Sequence, residues 1–77
     1  MFGFNIFNPL TGENLREDSA DAVKDVLDQR YRVRNVKKSY GNKYDVTLKD
    51  GHHMTVSVDN KFSIFNGETP FISYIDD

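Results

Sequence analysis

Two adjacent histidines, His52 and His53, follow Asp50 and are the residues whose types most directly suggest metal binding or proton transfer. Adjacent side chains on a strand point to opposite faces, whereas a strand supplies metal ligands from alternate positions. The chain has no third histidine and no cysteine to complete a site. We therefore expect a hairpin tip with one histidine turned inward beside Leu48 and the other in solvent, and we predict no metal and no other cofactor.

Residue sets for nucleophilic or acid–base catalysis are no better supported. Serine, histidine and aspartate are all present, but no serine lies in a motif that would set it in a strained turn. The carboxylates cluster where a helix is predicted, and a solvated helix face explains them. The five glycines are scattered at turns rather than gathered in a phosphate-binding loop. The sequence therefore predicts a protein that is not an enzyme.

A block of positive charge is the strongest candidate for a functional surface. Residues 30–43 hold six basic residues and no acidic one, whereas residues 13–28 and 44–77 each hold six acidic and two basic residues, a net of −4. The three arginines of the block alternate, so they would line one face of a regular strand. Its candidate partner-binding residues are Arg30, Arg32, Arg34, Lys37 and Lys38.

Three interpretations of this basic block stay open. It faces water or pairs with acidic residues of the helix and the neighbouring strands. It binds a protein with an acidic surface. Alternatively, Tyr31, Tyr40 and Tyr44 interleave the cations, so the strand could track phosphates and stack single-stranded bases. The net charge of −2 and the lack of a recognisable RNA-binding sequence motif count against nucleic acid.

The composition predicts one small globular domain over residues 1–77. Of these residues, 38% are apolar and 29% are charged. The absence of cysteine favours a reducing setting, so we expect a cytoplasmic protein. The apolar stretch that ends at Phe7 is too short to span a membrane and has no basic residue before it. We therefore expect neither a membrane anchor nor a secretion signal.

Residues 1–13 are predicted to form an N-terminal strand or arm. Phe2, Phe4 and Ile6 alternate with small or polar residues, which is typical of a strand, and Pro9 follows the pattern. We expect the arm to be ordered and to pack against the sheet, or else to be part of a binding surface.

An amphipathic helix is predicted over residues 15–29. Either Asn14 or Asp18 is placed to cap its first turn, and nearby acidic residues suit the positive end of the helix dipole. Its apolar stripe consists of Ala22, Val23, Val26 and Leu27.

Over residues 31–75 the apolar residues recur at every second position, which predicts a β-meander. Turn sequences such as Gly41-Asn42 and Asp59-Asn60 separate five segments. These segments are YRVRNVKKSY, KYDVTLK, HMTVSVD, KFSIF and FISYI. Short connections favour antiparallel neighbours, so the predicted fold class is α+β: one helix packed on an antiparallel sheet of four to five strands.

The apolar pattern also predicts the register of the sheet. A three-residue Lys-Asp-Gly loop places Val46 opposite Met54 and Tyr44 opposite Val56. A bulge near Asn35 would let the valines on both sides of it face the core.

The last two segments divide their large side chains between the two faces of the sheet. The residues predicted to face the helix are Phe62, Ile64, Ile72 and Tyr74. An apolar cluster on the opposite face supplies three further partner-binding candidates, Phe65, Phe71 and Ile75. Either the arm covers this cluster, or the cluster is an interface with another protein or a second copy.

The segment from the helix through YDVTLKDGHHMTVSVD resembles a PepSY-type module, in which a helix precedes a Y-x-V-x-L-x-D-G hairpin and a closing V-x-V-D. The matching residues are Tyr44, Val46, Leu48, Asp50, Gly51, Val56, Val58 and Asp59. The resemblance spans roughly half the chain and implies the same helix-on-meander architecture. Members of that family are mostly exported or membrane-attached, and some act as peptidase-inhibiting or regulatory modules.

These observations predict a non-enzymatic module that binds another protein through its sheet surface or a sheet edge, as a small regulator or inhibitor. One alternative is nucleic-acid binding through Arg30, Arg32 and Arg34. The other is a structural domain that self-associates through its strand edges, as a homodimer.

Overall fold

The computed structural model describes residues 9–65 and 67–76, which form one helix and one antiparallel sheet. The sheet order is β1-β2-β3-β4, so β1 and β4 are the edge strands. The predicted α+β class is confirmed, and the strand pattern of Phe2, Phe4 and Ile6 in the predicted N-terminal strand or arm lies outside the described residues. The elements are α1 (Ala20–Leu27), β1 (Val33–Lys38), β2 (Lys43–Leu48), β3 (His53–Ser63) and β4 (Gly67–Asp76).

The helix α1 is shorter than the predicted span of residues 15–29 and has a different cap. Its N-cap is Ser19 rather than Asn14 or Asp18, and the Ser19 Oγ accepts a hydrogen bond from the Ala22 N–H at 3.2 Å. The predicted apolar stripe is confirmed, since all four of its side chains are buried.

Residues 12–15 are not helical because their backbone pairs with β4. The Ile72 N–H donates to the Glu13 carbonyl at 3.0 Å. The Leu15 N–H donates to the Pro70 carbonyl at 2.9 Å, and the Leu15 side chain is buried in the core. The chain therefore covers part of the β4 edge with its own backbone.

The hairpin of β2 and β3 has the predicted register. Both predicted pairs, Val46 with Met54 and Tyr44 with Val56, are confirmed. Gly51 ends the three-residue loop with a φ of 92°, a left-handed conformation that glycine adopts at little cost. Local sequence was sufficient here because the apolar alternation and the glycine favour the same register.

Two β-bulges decide which residues face the core. The predicted bulge in β1 is confirmed immediately before Asn35. A second bulge, which was not predicted, lies in β4 at Ser73. Because of it, Ile72 and Ile75 are both buried, whereas Tyr74, predicted to face the helix, is exposed.

The turn predicted at Asp59-Asn60 is wrong, because β3 runs through both residues. Asp59 lies opposite Phe71, and the pairing of β3 with β4 continues to Ser63 and Gly67. The sheet therefore has four strands rather than five. A turn there would place Val58 opposite Phe62, but Val58 instead lies opposite Ile72.

The core lies between α1 and one face of the sheet. Its members are apolar side chains from both sides of that interface and from the segment before α1. They are Leu10, Leu15, Ala22, Val23, Val26, Leu27, Val33, Tyr44, Val46, Met54, Val56, Val58, Ile72 and Ile75.

Candidate partner-binding surfaces

The outer side of β1 has no backbone hydrogen-bond partner among residues 9–65 and 67–76. In an antiparallel ladder, residues that exchange hydrogen bonds with the neighbouring strand alternate with residues that do not. The Ser39 N–H donates to the Lys43 carbonyl at 2.9 Å, so Lys37, two residues earlier, is also bonded to β2. The backbone N–H and C=O groups of Val36 and Lys38 therefore point away from β2, toward the open side.

Five exposed cations surround this strand. Arg34, Lys37 and Lys38 lie in β1, whereas Arg30 and Arg32 precede it. The prediction that the three arginines line one face of a strand is therefore wrong, because β1 begins only at residue 33 and the bulge interrupts the alternation. The cations still follow one another along one margin of the sheet. We call β1 together with these five side chains the basic edge.

No ion pair joins the acidic helix to the basic edge among the described residues. Within the described part of the chain there are two salt bridges, Arg16 to Asp25 at 2.8 Å and Lys24 to Asp28 at 3.0 Å. Both lie in or beside α1, and neither involves a cation of the basic edge. The interpretation that the basic block pairs with acidic residues of the helix is therefore not supported.

A small pocket of about 240 Å³ opens beside the start of β1, where the connection from α1 meets the turn between β2 and β3. The Lys49 N–H donates to the Arg32 carbonyl at 2.8 Å and joins these two segments. Sequence analysis missed the pocket because only the fold brings the two segments together. The lining residues are Arg30, Tyr31, Arg32, Leu48, Lys49 and Asp50.

The three apolar candidates differ in exposure. Phe65 is 89% exposed, as predicted for a surface residue. Phe71 is half-buried, and the Lys61 Nζ lies 5.3 Å from the centroid of its ring. Ile75 is 0% exposed, so the prediction that it faces away from the core is wrong. The bulge at Ser73 is the physical reason, because it turns Ile75 back to the core side.

Phe62 and Ile64 were predicted to lie in the core and are instead exposed. The β3–β4 hairpin extends beyond β2, whose last pairing with β3 joins Lys43 to Ser57. The far end of this hairpin is therefore two strands wide among the described residues, and its side chains lie beyond the face that α1 covers. Together with Phe65, these two side chains form an apolar group that we call the hairpin tip.

Tyr44 is buried, and its hydroxyl donates a hydrogen bond to the Asp18 Oδ1 at 2.6 Å. Burial raises the pKa of Tyr44 to about 12, and the hydrogen bond to Asp18 and the negative charge of Asp18 act in the same direction. The Lys38 Nζ also lies over the Tyr44 ring, 4.8 Å from its centroid, in a cation–π contact. Tyr44 is therefore a structural residue and is not exposed for stacking on a base.

His52 and His53 are both exposed, so the prediction that one turns inward is wrong. The His53 Nδ1 lies 3.3 Å from the Thr47 Oγ1 of the opposite strand. This contact borders a polar groove of about 540 Å³ on the sheet face away from α1. Among residues 9–65 and 67–76, no group of three or more histidine and acidic side chains could hold a metal ion.

Three comparisons with known proteins gave no match for this chain. No family model, no curated protein and no solved structure matches it. The resemblance to PepSY-type modules therefore stays a prediction. In the described part of the chain, no helix is long and apolar enough to cross a membrane.

Proposed function

We propose that this protein is a non-enzymatic module that binds an acidic, extended segment of another protein along β1. The observation that carries the proposal is the open outer side of β1, where backbone groups of Val36 and Lys38 point outward beside five cations. An added strand would bond to those backbone groups, and its acidic side chains would meet the cations. Such capture suits a small regulator or inhibitor, and a cytoplasmic setting remains part of the proposal.

The length of β1 supports strand addition. Val33–Lys38 has six residues, which at ~3.3 Å per residue gives an edge of roughly 20 Å. A typical strand in a sheet has about 5–6 residues. Main-chain hydrogen bonds along this length would provide affinity, and the cations beside the strand would favour an acidic sequence.

A second copy of the chain suits this edge less well. Pairing β1 with the β1 of another copy would place lysines and arginines against each other, and directly opposed like charges destabilise a strand pair. Lysine on an edge strand is a common protection against such pairing. The acidic residues in α1 of a second copy are held in a helix, so they cannot be presented as a strand.

Nucleic acid is the second candidate partner, and Tyr40 is the observation that favours it. Tyr40 follows β1 and is 79% exposed, so its ring can stack on a base beside the cations. The other two tyrosines of the basic block support this less, because Tyr44 is buried and Tyr31 is half-buried. Base stacking along the basic edge would therefore rest chiefly on one ring.

The decisive experiment is a titration with a short fluorescent peptide of alternating glutamate and valine, followed by fluorescence anisotropy and by the backbone amide NMR spectrum. We expect saturable binding that weakens as salt is added, with the largest amide shifts in β1. A peptide with glutamine in place of glutamate should bind more weakly. A single-stranded oligonucleotide is the competing ligand, and preferential binding of it would overturn the proposal in favour of the second candidate.

Lys38→Glu and Lys61→Glu form a matched pair of variants for this titration. Each replaces a lysine that lies over an aromatic ring, at 4.8 Å for Lys38 and 5.3 Å for Lys61, and each changes the charge equally. Lys38→Glu should weaken peptide binding about tenfold, whereas Lys61→Glu should leave it nearly unchanged. If the two variants weaken peptide binding equally, binding depends only on the overall charge of the protein. That result would exclude β1 as the binding site.

A further inference from the structure

The pocket beside the start of β1 is lined by cations of the basic edge and by one further cation, Lys49. Arg30, Arg32 and Lys49 contribute three cations and Asp50 one carboxylate, a net of +2 in its lining. The Asp50 Oδ1 accepts a hydrogen bond from the His52 N–H at 3.0 Å, which holds this carboxylate in the turn. None of the three cations forms a salt bridge within the described part of the chain. An anion that enters the pocket therefore meets three cations that form no ion pair with a described carboxylate, beside the single carboxylate of Asp50.

The walls of the pocket are held in place by the backbone. The Tyr31 N–H donates to the Leu27 carbonyl at 2.9 Å, which fixes the first wall to the end of α1. The Lys49 N–H donates to the Arg32 carbonyl at 2.8 Å, which fixes the second wall to the first. Tyr31 and Leu48 also pack against the core, so part of the lining is apolar. A site that is already ordered loses less conformational freedom when a ligand binds.

The size of the pocket limits what it can hold. Its volume of about 240 Å³ lies below the ~300–1,000 Å³ of pockets that bind whole drug-sized ligands. It therefore suits a single charged group rather than an entire cofactor. The planar guanidinium of arginine matches the paired oxygens of a carboxylate or a phosphate.

The position of the pocket connects it to β1, since Arg32 directly precedes Val33, the first residue of that strand. A segment added along β1 would bring one of its ends to the pocket. We propose that the pocket is an oxyanion subsite, which binds a carboxylate or phosphate group at the end of the segment that lies along β1. The involvement of a segment rests on the proposed function, whereas the ability to bind a free oxyanion does not.

Titration with inorganic phosphate at constant ionic strength tests the subsite directly, with chloride as the reference. We expect saturable amide shifts confined to residues 30–32 and 48–50. Lys49→Gln should weaken phosphate binding about tenfold, and Lys61→Gln should leave it unchanged. Shifts that do not saturate, that chloride reproduces or that Lys49→Gln leaves intact would overturn the subsite.

Three peptides that differ only in their end residue distinguish the two sources of the oxyanion. The end residue is glutamine, glutamate or phosphoserine. Tighter binding of the phosphoserine peptide than of the glutamate peptide identifies a phosphate, and equal binding of these two identifies a carboxylate. If the glutamine peptide binds as tightly as the glutamate and phosphoserine peptides, the oxyanion subsite is overturned.

A variant that prevents strand addition at β1 distinguishes failure of the subsite from failure of the proposed function. Lys38→Pro removes an outward-pointing N–H and should prevent strand addition while leaving the pocket intact. If phosphate binds the wild-type protein and no peptide does, the proposed function fails and free-oxyanion binding stands. If peptides bind along β1 equally well in the wild type and in Lys49→Gln, the subsite fails and the proposed function stands.

Discussion

The two edges of the sheet are protected in different ways. At β4, residues 12–15 form backbone hydrogen bonds with Pro70 and Ile72, and Leu15 enters the core beside them. At β1, no described segment pairs with the outer side, and cationic side chains surround it. Among residues 9–65 and 67–76, one edge is therefore covered by backbone of the chain itself, whereas the other is flanked by charge alone.

This difference has a functional consequence. A backbone cover is part of the fold, and a partner would have to displace it at a cost in stability. Like charge would disfavour pairing of β1 with the β1 of a second copy, whereas the same cations would favour an acidic strand. We therefore propose β1, rather than β4, as the edge at which a partner strand would add.

Opening the β4 edge should have the largest effect on the fold. Leu15→Ala removes a buried side chain from the segment that covers β4, and such changes cost about 2–5 kcal/mol. A core of this size rarely supplies more than ~3–5 kcal/mol, so the variant should be largely unfolded or close to it. Urea denaturation followed by circular dichroism measures the loss.

Arg16→Ala is the control for that variant. It lies next to Leu15 but is exposed, and its salt bridge to Asp25 should contribute about 1 kcal/mol or less. If both variants lost the same stability, the packing of Leu15 would not be what holds residues 12–15 on β4.

Two proline substitutions test the alternation of hydrogen bonds in β1. Lys37→Pro removes an N–H that bonds to β2 and should cost about 1–3 kcal/mol more than Lys38→Pro, whose N–H points outward. Lys38→Pro should stay folded and should no longer bind the acidic peptide. A variant that removes only one charge should weaken this binding without abolishing it. Thermal unfolding and the peptide titration measure the two effects. The reverse order of stabilities would show that the outward side of β1 has been assigned to the wrong residues.

The hydrogen bond between Tyr44 and Asp18 joins the segment before α1 to β2. Its contribution to the free energy of unfolding should become measurable at alkaline pH. Because the folded pKa of Tyr44 is raised from 10 to about 12, the unfolded chain loses this proton first. The associated stability is therefore complete below pH 10 and decreases as the pH rises through the interval up to about 12. A spectroscopic tyrosine titration should show one ring that ionises last.

Asp18→Ala checks the cause of that titration, because alanine removes both the acceptor oxygen and the negative charge. It should lower the pKa of Tyr44 only part of the way toward 10, because burial is the largest cause and remains. The free energy of unfolding should fall by about 1 kcal/mol, the typical contribution of a hydrogen bond. An unchanged tyrosine titration would show that the hydrogen bond at 2.6 Å has no influence on the ring.

The smallest effects on stability are expected at exposed side chains on opposite ends of the sheet. Arg34→Gln in the basic edge and Phe65→Ser at the hairpin tip should each change the free energy of unfolding by less than about 0.5 kcal/mol. Of these two variants, only Arg34→Gln should weaken binding of the acidic peptide. A loss of peptide binding in Phe65→Ser instead would move the binding surface to the hairpin tip.

The successful predictions rest on residues that lie close together in the chain. The stripe of α1 follows from spacing alone, and the β2–β3 register follows from one loop and the alternation on either side of it. The bulge before Asn35 was predictable because two nearby valines have opposite parity.

The failures involve choices between distant segments. The bulge at Ser73 and the continuation of β3 through Asp59 both depend on how β3 aligns with β4, and the local sequence around Asp59-Asn60 is equally suitable for a turn. Of the predicted helix, Leu15 bonds to β4 instead and the Ser19 side chain caps the first turn, so the helix begins at Ala20. Tertiary pairing overrides local preference at these places, and Ile75 is buried as a result.

The sequence by itself determined the amphipathic helix, the β2–β3 hairpin and the positive charge of residues 30–43, because each depends on residue type and short spacing. Only the tertiary structure decided which edge those cations would occupy and that its outer side would stay open. Backbone groups pair with whichever partner the whole fold brings near. Here residues 12–15 were brought to β4, and no described segment was brought to β1.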